Sequence, residues 1–145
     1  MNRRSATLIA LLAFTTTAPL LTAAETSSEK LCTALQRVGY FSVWGHGYAG
    51  TPTANEQMFR AFMEKRPGAE DALRLIADGT PAGKIYGFLA LKKLSPELFA
   101  KVAPRFFRKR DEVSILSGCS PSTQSAGALV KMISDETIEL RKKRE

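Results

Sequence analysis

The residues best able to do chemistry crowd into one short stretch. Phe41 to Pro52 reads FSVWGHGYAGTP and holds the only tryptophan, Trp44, and the only histidine, His46, together with Tyr48. Gly45-His46-Gly47-Tyr48-Ala49-Gly50 matches G-x-G-x-x-G as a string. The dinucleotide fingerprint needs a strand directly before the glycines, a helix directly after them and a parallel strand beyond. Here Thr51-Pro52 intervenes and helical patterns follow, so no cofactor is expected. The glycines instead let a tight loop reach positive φ angles. Two readings of the stretch stand. Trp44, Gly45, His46, Gly47, Tyr48 and Gly50 form a stiff contact surface for a protein partner, or Trp44 and Tyr48 pack beneath the loop and staple it to the helices.

Elsewhere the constellations of catalysis are missing. His46 has no partner in sequence, and a metal site usually needs three or more protein ligands. No G-x-S-x-G occurs. Ser27-x-x-Lys30 matches S-x-x-K, but no K-T-G accompanies it. Glu70 and Asp71 are adjacent, so a helix would point them about 100° apart, not at one bond. The expectation is a chain with no catalytic residues, no metal and no enzymatic activity. A second candidate surface is basic: Arg105, Arg108, Lys109 and Arg110 interleave with Phe106 and Phe107. Such a run suits a polyanion, or is a solvated face over phenylalanines that belong to the core.

The compartment follows from the first residues. Arg3 and Arg4 precede an apolar run from Ala6 to Leu21, and Thr22-Ala23-Ala24 sets small side chains before Glu25. This is the pattern of a secretory signal peptide over residues 1–24, too short in its apolar core to span a membrane. The expectation is export to the periplasm, with no membrane span and no nucleic-acid partner. About 120 residues remain, enough for one helical domain with a modest core, ending in a charged tail. The whole chain carries a net charge of +7; losing Arg3 and Arg4 lowers it by two. A basic balance suits an acidic partner, a polyanionic wall polymer or a membrane surface, or serves solubility alone. The two cysteines, Cys32 and Cys119, are expected to pair in an oxidising compartment. A bridge closing so long a loop would be worth roughly 4–5 kcal/mol by chain entropy. The rival is a free reactive thiol near His46.

The elements that must position these residues are mostly helical. Leu31, Leu35 and Val38 make one face of a helix over 29–38. Thr53-Ala54-Asn55-Glu56 is a capping box opening a second helix to about Lys65, with Met58, Phe59, Phe62 and Met63 inward. A third spans 69–77 on Ala72, Leu73 and Ile76, with Gly79 at its C′ position. Thr80-Pro81 starts a fourth, carrying Ile85, Phe88, Leu89 and Leu91. Gly83 and Gly87, four apart, would let neighbours approach closely. Ser95-Pro96 starts a fifth with Leu98, Phe99 and Val102, and Pro104 should kink or split it. Val113 to Leu116 favours a short strand near the Phe41 loop. Cys119 to Thr123 reads as turn, and a last helix with Leu129, Val130 and Ile133 inward starts near Ser122–Thr123. The fold class is all-α: five or six short antiparallel helices, with one long Gly/aromatic loop and one disulfide.

Asp71 to Phe99 (DALRLIADGTPAGKIYGFLALKKLSPELF) resembles the helix–turn–helix unit of HEAT-like repeats: AL-x-x-I, a Gly/Pro turn, then a small-residue helix ending in AL-x-x-L. With the signal peptide, the basic charge and the single prominent loop, the chain resembles the small periplasmic immunity proteins that neutralise peptidoglycan amidases delivered by type VI secretion. In that family a protruding loop can plug the toxin's active-site groove. The resemblance implies a secreted amidase as protein partner and places the plug on Trp44 to Gly50. Two other classes stand beside it: a periplasmic enzyme or accessory factor that meets cell-wall polymer through the basic patch, and a structural domain of an envelope assembly. A second copy of the chain is a further possible partner.

Overall fold

The computed structural model of the chain describes residues 23–138 apart from 46 and 48. The expected signal peptide, up to residue 22, and most of the expected charged tail lie outside the described residues, as do His46 and Tyr48. Six helices are described: α1 Ala23–Gln36, α2 Ala54–Glu64, α3 Ala69–Asp78, α4 Pro81–Leu94, α5 Pro96–Val102 and α6 Ala126–Ser134. Between α5 and α6 lie a 3-10 turn, Ala103–Arg105, and two strands, β1 Glu112–Ser117 and β2 Ser120–Ser125. The molecule is therefore mostly helical, but the all-α expectation is corrected by an antiparallel hairpin.

The helix starts follow their caps. Thr53 Oγ1 accepts from the Glu56 amide at 3.1 Å, and Thr80 Oγ1 accepts from the Gly83 amide at 3.1 Å. Thr80 also donates to Val38 O at 2.6 Å, which ties the end of the α1 segment to the start of α4. Pro104 falls in the 3-10 turn and ends α5, as a proline there should. The left-handed cap expected of Gly79 is absent, since its φ is −75°. Glycine is required there for room: a Cβ would lie 2.5 Å from Leu75 O.

α4 is the axis of the core. It packs on α1, α3, α5, α6 and β1, and its residues from Ile85 to Leu91 are all buried. Gly83 and Gly87 make this possible. A Cβ at Gly83 would lie 2.7 Å from Leu35 O of α1, and one at Gly87 would lie 2.8 Å from Ile76 Cγ1 of α3. The cost in helix propensity, roughly 1 kcal/mol for each glycine, is offset by close packing on two sides. Tyr86 of α4 packs at a tilt against Phe41 and Phe59, with ring centroids 4.9 Å apart for Phe41–Tyr86 and 5.0 Å for Phe59–Tyr86. From the far side, Lys92 donates to Ile133 O and Ser134 O and so closes the open carbonyls at the end of α6.

The strand expected near the Phe41 loop is present. Ile115 forms a parallel bridge with Phe41, through Phe41 N–H to Ser114 O at 2.8 Å and Leu116 N–H to Phe41 O at 3.0 Å. The turn expected over Cys119 to Thr123 is instead largely strand: Ser122 pairs with Ile115 and Gln124 with Val113. The last helix accordingly starts later, with Ser125 as its cap.

The expected disulfide is corrected too. Both cysteines are free. α1 turns Cys32 into its contact with α3, where the thiol faces Asp71 O at 3.8 Å. Cys119 is exposed in the two-residue turn that joins β1 to β2. Burial is the chief cause that pushes the Cys32 thiol above its ordinary pKa, with Asp71 adding to it.

Candidate functional site

The loop from Tyr40 to Thr53 is built on the N-terminus of α2. Asn55 Nδ2 donates to Tyr40 O at 2.9 Å, and Gln57 Nε2 donates to Pro52 O at 3.1 Å. These two side chains grip both ends of the loop. Between them sits Glu56, only 1% exposed. Its Oε2 accepts the Gly45 N–H at 3.0 Å, and its Oε1 meets Arg60 Nη2 at 2.8 Å, one helical turn on. The capping box is thus half formed. Thr53 caps the helix as expected, but the glutamate turns to the loop instead of closing back on residue 53. A carboxylate at the positive end of a helix dipole, paired with an arginine at i+4, is well placed to hold a backbone amide.

A second clamp comes from α4. Tyr86 Oη donates to Ser42 O at 2.7 Å and accepts from Ser42 N at 3.0 Å. One phenol therefore holds both backbone groups of a buried residue. Burial is the chief reason the Tyr86 phenol is pushed well above its ordinary pKa.

The third clamp is the hairpin turn. Gly118 N–H donates to Gly45 O at 3.2 Å, and Gly47 N–H donates to Gly118 O at 3.1 Å. The loop continues the parallel pairing begun at Phe41 and runs alongside β1 to its end. Gly45, Gly47 and Gly50 have φ angles of 75°, 70° and 62°, as their expected role in the loop requires. At Gly45 room is scarce as well, since a Cβ would lie 2.3 Å from Gly50 O.

Trp44 is half-buried. Its ring meets Phe41 edge-on, centroids 6.1 Å apart, while part of it stays accessible. It belongs in part to each of the two readings, staple and contact surface. Ala49, Thr51 and Pro52 are exposed, and Gly47 and Gly50 are half-buried. The basic residues Arg105, Arg108, Lys109 and Arg110 are all exposed. Phe106 packs on Phe88, centroids 4.7 Å apart, as a core residue should, but Phe107 does not. The two candidate surfaces are not brought together. The Gly/aromatic loop lies at the Gly118 end of β1 and the basic run precedes its Glu112 end, about 20 Å away along the strand.

Ser42, Asn55, Glu56, Tyr86 and Gly118 carry the site, and sequence reasoning gave none of them a part in it. Only Glu56 left a signal: an acid at the third position of a helix that follows a glycine-rich loop, with an arginine four residues on. Among the described residues no group of three or more His, Cys, Asp or Glu is placed to hold a metal ion, and no helix is long and apolar enough to cross a membrane. Compared with protein families, curated proteins and solved structures, the chain matches none.

Proposed function

We propose that this chain is an exported, non-catalytic protein-binding module whose contact surface is the loop Trp44–Gly50. The observation that carries this reading is the threefold clamp on the loop by Glu56, Tyr86 and Gly118. A loop with so many backbone groups held in place loses little conformational entropy when a partner seats on it. Glycine at its bends lets the backbone turn sharply and approach a partner closely. The accessible part of Trp44 adds a stiff aromatic of the kind that anchors interfaces. Within this reading the partner is a cell-wall-degrading effector of the amidase kind, and the chain is its immunity protein, the loop inserting into the effector's groove. The leader-like residues 1–24, the HEAT-like α3–α4 pair and the basic balance support that assignment.

The test pairs affinity with stability. Periplasmic coexpression with a peptidoglycan amidase effector should protect cells, and the two purified proteins should form a complex. Trp44→Ala should weaken that complex by more than about tenfold while leaving most of the thermal stability. Lost melting temperature with unchanged affinity per folded molecule would make the loop a structural staple. Export is checked separately, by cell fractionation and by the intact mass of the exported chain, which should begin at Glu25.

A further inference from the structure

Phe107 is the one large apolar side chain that the described residues leave exposed, at 37%. It stands among Arg105, Arg108, Lys109 and Arg110, all exposed, and none of the four is ion-paired with a described residue. Asp111 and Glu112 follow directly and belong to the base of the hairpin, where Glu112 pairs with Ser125.

The segment is nevertheless firmly held. Phe106 is anchored on Phe88, and Lys109 N–H donates to Phe106 O at 2.9 Å. Gly127 N–H donates to Lys109 O at 3.0 Å. α6 comes so close at Gly127 that a Cβ there would lie 2.4 Å from Phe107 O. Core packing therefore fixes the backbone while the Phe107 ring and four cationic side chains turn outward. Neighbours cover most of Phe107, but 37% of it stays in water among the four cations.

We infer that this turn is a peripheral docking point for an anionic lipid surface. A cationic rim with one aromatic at its centre is the arrangement that sits at a bilayer interface: the ring enters the acyl boundary and the basic heads stay among the phosphates. In the chain the turn lies between α5 and β1. Its separation from the Trp44–Gly50 loop, at the other end of β1, leaves that loop free when the turn is docked. The inference stands independently of the loop's role.

The test is sedimentation of the full chain with vesicles of phosphatidylglycerol in phosphatidylcholine, against phosphatidylcholine alone. Residues 1–22 are common to every variant, so the reading is the difference between variants and between lipid mixtures. The wild type should bind the anionic vesicles at low salt and be released as salt rises. Arg108→Glu with Lys109→Glu should weaken binding at least about tenfold. Phe107→Ala should weaken it severalfold and leave the salt dependence in place. In a Trp44→Phe background, Phe107→Trp should shift its emission to the blue on anionic vesicles only. Circular dichroism should show all variants folded, since Phe107, Arg108 and Lys109 are exposed and Trp44→Phe keeps an aromatic ring against Phe41. Equal binding to neutral vesicles, or binding unmoved by the charge reversal, overturns the inference. So does sedimentation with peptidoglycan or polyglutamate that ignores Phe107→Ala and occurs without vesicle binding, which would assign the turn to a polymer or an acidic protein.

Discussion

Replacing Glu56 should damage the molecule in a way that separates its two roles. The carboxylate accepts the Gly45 N–H at 3.0 Å and meets Arg60 at 2.8 Å, in a nearly dry setting. A hydrogen bond to a charged group is worth about 1.5–3 kcal/mol, and the amide left behind is costly to bury alone. The Arg60 side chain is 26% exposed, so solvent shares that half of the interaction. Glu56→Ala should therefore cost about 3–4 kcal/mol, a drop in melting temperature on the order of 10 °C for a domain of this size. Glu56→Gln keeps an acceptor for Gly45 and loses only the charge, so it should cost about half as much. Thermal unfolding by circular dichroism measures the loss. Trp44, the only tryptophan, reports on the loop beside it: its acrylamide quenching should rise in Glu56→Ala well below the melting transition. A loss under about 1 kcal/mol with unchanged quenching would refute the clamp.

The close contact at Gly87 leaves no space for a methyl group, so Gly87→Ala should destabilise by about 1–3 kcal/mol in denaturant unfolding despite its better helix propensity. In the native protein a thiol reagent should label Cys119 at once and Cys32 only on unfolding, because one is exposed and the other is buried with its pKa raised. The folded state keeps the Tyr86 proton above the phenol's ordinary value of 10.0 while the unfolded state releases it. Stability present below that pH should therefore fall as pH rises past it, and Tyr86→Phe, less stable at neutral pH, should show a shallower fall in the same titration.

The helices were legible because their signals are local. Thr53, Thr80 and Pro81 mark starts with side chains that reach a few residues away, and the Gly83–Gly87 spacing pointed to close packing before any neighbour was known. The hairpin was only half legible. Val113 to Leu116 has strand chemistry of its own, but SPSTQS has almost none and is strand only because β1 lies beside it. Glu56 shows the same limit at a single residue. Its position fits a capping box, and only the arrival of Gly45 from across the fold diverts it. The cysteines mislead for a related reason: their count and an expected oxidising compartment favour a bond, but pairing depends on where α1 and the hairpin turn carry the two side chains in space.

The parallel pairing of the Phe41 segment with β1 joins backbone groups about 70 positions apart in the chain. Everything between them, from α2 to the turn before β1, must be threaded before Phe41 can meet Ser114. Contacts that close such long loops form late, after helices built on neighbouring residues. The Gly118 side of the clamp on the Trp44 loop should thus form after the Glu56 side, which spans only 11 positions. A chain that crosses a membrane unfolded would present no finished surface in transit, and its ability to engage a partner would mature only with the final closure of the hairpin. A chain short of that step would keep its helices and the grip of α2 on the loop, and would lack the pairing with Gly118.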